Sequence, residues 1–212
     1  SSVGIERSKE LASNFGLNPE IFTCADHTYL EGIKSESIDA VIGMGFIYYL
    51  DDESRDKTYS EVSRVLKKNG IFDLTLTNML FDAFSLNDTS LVFWANIINE
   101  FTPIQKQLGI NIVETLGQHI KVHKRKAAKN SISNRFGIHA DNPVLYQNLI
   151  NKYGFIVEEI LYPDSHILPP FLEEKIDSNE IDKIKAKYCV QNSHNWTGLF
   201  MDYEFLAFLR KR

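Results

Sequence analysis

The chain of 212 residues has a formal net charge of −5 and 43% hydrophobic residues, which suffices for one domain with a sizeable core but is short for two. This acidic balance excludes a general attraction to nucleic acid or to an anionic membrane, and no apolar run is long enough to span a bilayer. The two cysteines, Cys24 and Cys189, lack metal-ligand spacing, which indicates buried thiols in a reducing compartment. We therefore expect a cytoplasmic protein without a nucleic-acid partner, a membrane partner or a metal site.

At the beginning of the chain, residues 3–6 have the pattern of a strand end that finishes on Glu6, and Ser8 is predicted to cap the helix that follows. A carboxylate at a strand tip can accept hydrogen bonds from both hydroxyls of a ribose. A favourable charge at a helix start is the more frequent reason for such an acid, so both interpretations stay open. A further strand is predicted over residues 21–24, with the polar residues 25–27 at its tip.

The apolar run at residues 38–42 is too short for a helix and too continuous for an edge strand, so it predicts a central parallel strand. The strand leads into Gly43, Met44 and Gly45. Ligands of parallel sheets bind beyond the carboxyl ends of the strands, where glycine lets the backbone approach them closely. A plain turn is the more frequent role of two such glycines, but the preceding buried strand favours a ligand-facing loop.

The next elements are a helix and a strand. Residues 51–54 supply acids and a cap for the helix, and Gly70 is predicted to end it after two lysines. Residues 71–77 then alternate apolar and polar side chains, which predicts a strand. The order strand, helix, strand, strand, helix, strand predicts a doubly wound α/β domain.

The second half of the chain begins with a segment that has no clean assignment, residues 79–142. A long insertion after a strand tip is typically functional, commonly a lid over the ligand crevice. Asn142 and Pro143 are predicted to begin a helix that leads into a strand at residues 155–160. An aromatic strand over residues 198–209 is predicted to close the chain.

With these elements placed, the chain resembles the class I S-adenosylmethionine-dependent methyltransferases over about residues 3–78 and 142–210. The resemblance rests on Val-Gly-Ile-Glu-x-Ser at 3–8, Cys-Ala-Asp-His at 24–27, the strand and loop at 37–50, and Glu-Val-Ser-Arg-Val-Leu-Lys-Lys-Asn-Gly-Ile-Phe at 61–72. The last segment is the most specific, because the family commonly has a helix ending in Arg-Val-Leu-Lys before a glycine and a strand. A nicotinamide-linked oxidoreductase would also suit an acid at the second strand tip, but this helix and the closing hairpin argue against it.

The resemblance implies a Rossmann-like methyltransferase fold of the α/β class, with a mostly parallel sheet, an antiparallel last strand and an α-helical insertion. It implies methyl transfer as the activity and S-adenosylmethionine as the cofactor. The implied cofactor-binding residues are Glu6 for the ribose, Ala25, Asp26 and His27 for the adenine, and Gly43, Met44 and Gly45 for the methionine part.

One feature of the family has no counterpart in this sequence, the glycine-rich turn after the first strand. That strand lies at the centre of the family's sheet, and its absence would leave raw strand edges, so we expect an N-terminally truncated form of a longer chain. We also expect these 212 residues alone to bind the cofactor weakly. In this interpretation residues 1–78 form the cofactor-binding part, residues 79–142 the insertion or lid, and residues 143–212 the C-terminal helix and hairpin.

Methyl transfer needs chiefly the alignment of donor and acceptor with water excluded, so no catalytic triad is expected. An oxygen or nitrogen acceptor can also need a general base. The candidates are His27, Tyr48, Tyr49, His139 and His166, of which we select His139 and Tyr48. A core or surface role is the more frequent explanation for each of them.

A basic segment, residues 119–129, lies inside the insertion. His119 and His123 are four residues apart, as in some helical metal sites, but no glutamate lies between them in the metalloprotease pattern, and a place on the exposed surface is the more frequent explanation. The lysines around them could attract an acidic acceptor, although such runs are usually solvated surface.

The function predicted from these observations is methyl transfer to a small-molecule or glycan-type acceptor. We place acceptor choice in the insertion, residues 79–142, with help from residues 162–170. The aromatic residues of the insertion either form the floor of an apolar pocket or pack the insertion onto the sheet. The alternative function is a methyltransferase-like remnant that no longer binds the cofactor and serves as a binding module.

Overall fold

The structure is a computed structural model of the chain. It describes residues 2–86, 90–91, 114, 117–118, 138–163, 165–173, 176–188 and 196–212. The predicted sites at His119, His123 and Cys189, and most of the predicted insertion, lie outside the described residues.

The described chain alternates helices and strands. The helices are α1 (Ser2–Asn14), α2 (Asp52–Val65), α3 (Met79–Ser85), α4 (Tyr146–Ile150), α5 (Pro170–Glu173), α6 (Ser178–Tyr188) and α7 (Trp196–Met201). The strands are β1 (Ile38–Gly43), β2 (Leu66–Asn78), β3 (Ala140–Asp141), β4 (Phe155–Leu161) and β5 (Glu204–Lys211). None of the helices in the described part of the chain has the length and apolarity needed to cross a lipid bilayer.

The strands form one mixed sheet in the order β1-β2-β5-β4, with β3 beside the end of β2. β1 and β3 run parallel to β2, whereas β5 runs antiparallel to both β2 and β4. Four of the strands therefore end at the same edge of the sheet. The prediction of an α/β Rossmann-like fold with a mostly parallel sheet and an antiparallel last strand is confirmed.

That common edge carries the candidate site. We call it the carboxyl edge, and it consists of residues 43–49, 77–79, 139, 162–163, 165–166 and 203–204. It collects the loops that leave β1, β2 and β4 and the residues that lead into β3 and β5. In parallel α/β sheets this is the edge where ligands bind.

The core lies between α2 and one face of the sheet. The predicted alternation of β2 is confirmed, because Phe72, Leu74 and Leu76 are fully buried. Burying each such side chain stabilises the fold by about 2 kcal/mol. Across from them, Tyr59 of α2 donates to or accepts from Tyr146 of α4, with 3.0 Å between their hydroxyl oxygens. This bond satisfies both phenols in the apolar core.

The beginning of α2 is as predicted and its end is not. Asp51 caps the helix, because its Oδ1 accepts a hydrogen bond from the Ser54 N–H at 2.8 Å. The helix ends at Val65, five residues before the predicted stop at Gly70. Gly70 instead belongs to a bulge in β2, where a Cβ atom would lie 2.9 Å from the carbonyl oxygen of Lys67.

Two strands predicted near the beginning of the chain are absent from the described structure. Residues 3–6 lie in α1, where the Ser8 hydroxyl donates to the Gly4 carbonyl inside the helix rather than capping it. Of residues 21–24, Ile21 ends a short 3₁₀ helix, Pro19–Ile21, and residues 22–24 follow it without joining the sheet. Short apolar runs satisfy their backbone groups locally when no neighbouring strand receives them, so these predictions were wrong.

β1 occupies an edge of the described sheet, although its apolar run predicted a central position. It pairs with β2 on one side, and no described strand pairs with its other side. Ile42 is accordingly 71% exposed. A continuous apolar run reports the tendency of a strand to be covered on both faces, but it does not report which strands pair with it.

Cys24 is also exposed, so the expected burial of its thiol was wrong.

The C-terminal elements are shifted from their predicted bounds. The helix expected from Asn142 begins at Tyr146, because the Asn142 side chain instead accepts from the Val144 N–H and forms a turn. β4 matches the strand predicted over residues 155–160, and its antiparallel pairing with β5 confirms the hairpin. Residues 198–201 are helical rather than extended, since Gly198 lets α7 pack directly on Tyr162, where a Cβ would lie 2.6 Å from the Tyr162 Cβ.

Candidate functional site

The loop after β1 supplies the first part of the candidate site. Gly43 lies between two rings, because a Cβ there would be 3.1 Å from Phe72 and 3.3 Å from Phe46. Gly45 has a φ angle of +72°, and its N–H donates to the Thr75 hydroxyl at 2.7 Å. Among the residues that the structure describes, a Cβ at Gly45 would meet only the Tyr48 hydroxyl, at 3.9 Å. The loop therefore needs glycine at 43 for packing and at 45 for its backbone, and its backbone at 45 faces open space that a ligand can use.

The segment that carries the predicted adenine-binding residues lies beside this loop. His27 forms a 2.9 Å hydrogen bond through Nδ1 with the Thr58 hydroxyl of α2, and its ring centroid is 5.9 Å from that of Phe46. Ala25 and Asp26 are exposed next to it. The structure thus brings residues 25–27 and the Gly43–Gly45 loop together through Phe46.

Asp26 is held as an anion in a local turn. Its Oδ1 accepts hydrogen bonds from the Thr28 hydroxyl at 2.7 Å and from the Thr28 N–H at 2.8 Å. These bonds, the hydroxyl first, lower the pKa of Asp26 below its ordinary value. The second carboxylate oxygen remains available to a ligand hydroxyl or amino group.

Glu6 does not lie at a strand tip. It is exposed on α1, on a helix surface that it shares with Val3, Arg7 and Glu10. The structural premise for a ribose contact was therefore wrong. The contact itself stays a prediction, which a binding measurement can test.

The two selected catalytic candidates meet at the carboxyl edge. The His139 backbone N–H donates to the Tyr48 carbonyl at 2.9 Å, and His139 Nδ1 lies 3.7 Å from Asp52 Oδ1. The Tyr48 ring packs 4.5 Å from that of Tyr49. Burial, with Glu204 adding to it, raises the pKa of Tyr48 far above its ordinary range. Tyr48 is therefore protonated at neutral pH and can donate a hydrogen bond, and its role as a general base stays a prediction.

An ion pair that the sequence did not indicate fixes His139 in place. Arg55 Nη2 donates to both carboxylate oxygens of Asp141, at 2.9 and 2.7 Å, and the two residues are only 7% and 6% exposed. Burial lowers the pKa of Arg55, but Asp141 outweighs it and raises that pKa, so Arg55 is charged. The pair ties β3, and with it His139, to α2.

Asn78 is a second residue that sequence reasoning missed. Its side-chain N–H groups donate to the carbonyls of Leu199 and Asp202, both at 2.9 Å, and its Oδ1 accepts from the Leu80 N–H at 3.0 Å. Its own N–H donates to the Tyr203 carbonyl at 2.9 Å. Asn78 thus joins the end of β2 to α3, α7 and the start of β5. The signal available in the sequence was an asparagine directly after a predicted strand.

His166 is the remaining histidine candidate at the carboxyl edge. It follows β4, and its ring lies 5.3 Å from that of Phe81 in α3. Its Nδ1 is 2.6 Å from Glu173 Oε2. Among the described residues, no group of three or more His, Cys, Asp or Glu side chains is placed to hold a metal ion.

Comparison with known proteins identifies the kind of fold that carries this site. Residues 1–74 match the model of a family described as a methyltransferase domain. A search of curated proteins finds no match to the chain. The matched residues include both the 25–27 segment and the Gly43–Gly45 loop.

A comparison with solved structures finds matches at low sequence identity. A putative sarcosine dimethylglycine methyltransferase from Galdieria sulphuraria is 13% identical, with a TM-score of 0.51, and the comparison covers 100% of this chain and 67% of that one. A SAM-dependent methyltransferase from Archaeoglobus fulgidus is 13% identical, with a TM-score of 0.46, and the comparison covers 95% of this chain and 80% of that one. The [4+2]-cyclase SpnF is 14% identical, with a TM-score of 0.48, and this chain spans 63% of its length.

Proposed function

We propose that the chain is a member of the class I S-adenosylmethionine-dependent methyltransferase family and that it transfers a methyl group to a small-molecule acceptor. The observation that carries this proposal is the family match over residues 1–74, which includes the loop that faces open space at the carboxyl edge. The whole activity is proposed for this chain, since the chain spans 63% of the length of one structural relative and 67% of another.

The residues at the carboxyl edge fit the proposed cofactor. S-adenosylmethionine supplies an activated methyl group on a sulfonium centre. The open backbone at Gly45, together with Gly43 and Met44, would hold its methionine part, and the residues Ala25, Asp26 and His27 would border its adenine. The exposed carboxylate of Asp26 and the half-buried ring of His27 offer the polar and planar contacts that an adenine base uses.

The chain's own contribution to the reaction is alignment and the exclusion of water. Tyr48 is held protonated beside Gly45, so it can donate a hydrogen bond to a bound acceptor. His139 lines the same edge, fixed by the Tyr48 carbonyl and by the Arg55–Asp141 pair. The proposed acceptor is a small molecule or a glycan-type precursor, covered by residues 79–142.

The activity is tested with the purified chain and a panel of acceptors. The panel contains 4-hydroxybenzoate, glucose, sarcosine and dimethylglycine, the last two chosen from the name of the Galdieria relative. We supply S-adenosylmethionine at millimolar concentration, because we expect weak cofactor binding. Formation of S-adenosylhomocysteine with a methylated product supports the proposal. No turnover with any member of the panel, in a chain that is folded by circular dichroism, would contradict it.

The second candidate function is a non-catalytic binding module. One observation favours it: the acid expected to bind the ribose lies on an exposed helix rather than at a strand tip. Glu6→Ala distinguishes the two functions, with Glu10→Ala on the same exposed helix as the matched control. If Glu6 contacts the ribose, its replacement weakens S-adenosylmethionine binding by about 1–3 kcal/mol in calorimetry. Equal affinities for both variants would remove Glu6 from the site, and no binding by the unaltered chain would favour the binding module.

A further inference from the structure

The connection from β4 to β5 carries a histidine whose position is fixed by backbone contacts. The His166 N–H donates to the Met201 carbonyl at 2.7 Å, and the preceding residue, Ser165, donates through its hydroxyl to Asp202 Oδ2 at 2.5 Å. Asp202 is fully buried. These contacts hold the start of the connection against the end of α7, at the carboxyl edge.

The ring of His166 is oriented by one carboxylate. Its Nδ1 lies 2.6 Å from Glu173 Oε2, and the other carboxylate oxygen accepts from the N–H groups of Ile167 and Leu168, at 2.6 and 3.2 Å. The Glu173 side chain is 10% exposed and the His166 side chain is 21% exposed. Glu173 is therefore a nearly buried partner, while part of the imidazole reaches the surface.

Glu173 is an anion at neutral pH. Burial raises its pKa, but the Ile167 N–H, His166 and the Leu168 N–H together outweigh burial and lower that pKa. Lys185 of α6, with Nζ 3.8 Å from Oε2, adds a favourable charge. An ionised carboxylate only accepts hydrogen bonds, so the Nδ1 of His166 carries a hydrogen and donates it. In the neutral ring the lone pair then resides on Nε2.

We propose that His166 is the general base of the acceptor site, with Glu173 as its positioning residue, and that the acceptor is a small molecule whose nucleophile is a hydroxyl group. This inference rests on the proposed methyl transfer and adds the acceptor class to it. In the proton-transfer step, Nε2 forms a bond to the hydroxyl hydrogen, the O–H bond breaks, and its electron pair stays on the acceptor oxygen. That oxygen could then accept the methyl group that S-adenosylmethionine would supply, with S-adenosylhomocysteine as the leaving group. The imidazolium later releases the proton to solvent.

The surroundings of His166 connect it to the rest of the carboxyl edge. Phe81 contacts His166 on one side and Tyr203 on the other, with ring centroids 5.3 and 5.8 Å apart. Tyr203 directly precedes β5, and the Asn78 N–H at the end of β2 donates to its carbonyl. An apolar wall thus lies between the histidine and the end of β2, which suits an acceptor with an apolar body.

His139 provides the contrast that selects His166. Its possible carboxylate partner, Asp52, is 3.7 Å away and its side chain is 91% exposed. Such a pair is solvated and orients the ring weakly. Of the two histidines, only His166 has a short bond to a nearly buried carboxylate. This geometry is the one that fixes the tautomer of a catalytic histidine.

The first test measures the tautomer and accessibility of His166 without cofactor or acceptor. Nitrogen-15 spectra of the labelled chain, recorded over a pH series and assigned with His166→Asn, should show hydrogen on Nδ1 and none on Nε2 in the neutral form of the ring. Diethyl pyrocarbonate should modify His166, with the site read by mass spectrometry, and Glu173→Gln should mix the tautomers while leaving the His139 signals unchanged. Hydrogen on Nε2, or no modification of His166 in the folded chain, would overturn the proposal.

The second test compares His166→Asn in turnover with the matched control Glu53→Gln, which changes an exposed residue of α2 outside the site. With 4-hydroxybenzoate or glucose, His166→Asn should lower kcat roughly 100-fold, flatten the acidic limb of its pH profile and change KM little. With dimethylglycine, which reacts as the free amine and has no proton on that nitrogen to remove during methyl transfer, the same variant should change kcat by less than about threefold. Turnover with dimethylglycine but with neither hydroxyl acceptor would contradict the base assignment and leave methyl transfer intact. No turnover at all would contradict the proposed function itself.

Discussion

Arg55 and Asp141 are 86 residues apart in the chain, yet they form the most enclosed ion pair in the part of the chain that the structure describes. Removal of one partner leaves the other charge buried without compensation. We expect Asp141→Ala to lower the free energy of unfolding by about 3–5 kcal/mol, measured by urea denaturation. The matched control is Glu53→Ala, which removes an exposed partner of Lys57 in α2 and should cost less than about 0.5 kcal/mol.

The double variant Arg55→Met with Asp141→Leu distinguishes two causes of destabilisation, an unpaired buried charge and the loss of the contact itself. It should recover most of the stability lost by Asp141→Ala, because no charge is left buried. If Asp141→Ala were no more destabilising than Glu53→Ala, the pair would be solvated in solution and would not fix β3.

At the residue scale, a role could be predicted from the sequence when it depends only on neighbouring residues in the chain. Gly43 ends β1 and Gly45 follows it, and the backbone at Gly45 faces open space, while ligand binding by this loop stays a prediction. The Arg55–Asp141 pair could not be predicted, because its formation depends on β3 lying beside the end of β2. Asp141 also precedes Asn142 and Pro143, where an acid has a sufficient local explanation as a helix-start residue.

At the scale of elements, α2 holds the segment that carries the predicted adenine contacts. Glu61 accepts from the Leu30 N–H at 2.8 Å and binds Arg64 through both oxygens, at 2.6 and 2.9 Å. Arg64 in turn donates to the Ile33 carbonyl at 3.0 Å. Glu61 and Arg64, which are three residues apart on α2, thus hold the chain in place around residues 28–35.

This arrangement predicts a pH dependence. Arg64 lowers the pKa of Glu61, burial opposes this, and the Leu30 N–H lowers it further. A carboxylate with a lowered pKa contributes stability above its unfolded pKa of about 4.3, and this contribution is lost as the pH falls through the lower folded value. We expect Glu61→Gln to weaken the dependence of unfolding free energy on pH below about 4.3, measured by urea denaturation.

Hydrogen exchange at the Leu30 amide provides a local readout of the same contact. At neutral pH it should be faster in Glu61→Gln than in the unaltered chain, and unchanged in Glu53→Gln on the same helix. Identical pH profiles of stability for the Glu61 variant and the unaltered chain would contradict the assignment of this carboxylate.

Element type was predictable where two independent signals agree. α2 has a cap, acids in its first turn and a buried face, and β2 has strict alternation, so both were predicted correctly. Residues 3–6 offered only a short apolar run, which suits a helix as well as a strand. The structure places them in α1, where Ala12 is the one buried residue.

At the scale of the whole molecule, the resemblance to a family predicted the sheet better than local patterns predicted the position of any one strand. The resemblance implied a mostly parallel sheet with an antiparallel last strand, both of which the structure contains. The edge position of β1 could not be read from its apolar run. Pairing is decided by which strands are adjacent in space, and this information is spread over the whole chain.

The segment between β2 and β3 is the part of the molecule where we expect acceptor choice to reside. Its two ends are fixed to the fold, by Asn78 at the end of β2 and by the Arg55–Asp141 pair after His139. Exchange of residues 79–138 for the same segment of a related enzyme keeps these anchors and His166. We expect the hybrid to methylate a different member of the acceptor panel, because the proposed cofactor residues lie before residue 46 and the acceptor must be covered by segments later in the chain than β2. Cofactor affinity, measured by calorimetry, should stay within about threefold, or about 0.7 kcal/mol. A folded hybrid that binds S-adenosylmethionine and keeps the original acceptor preference would place the choice of acceptor outside this segment.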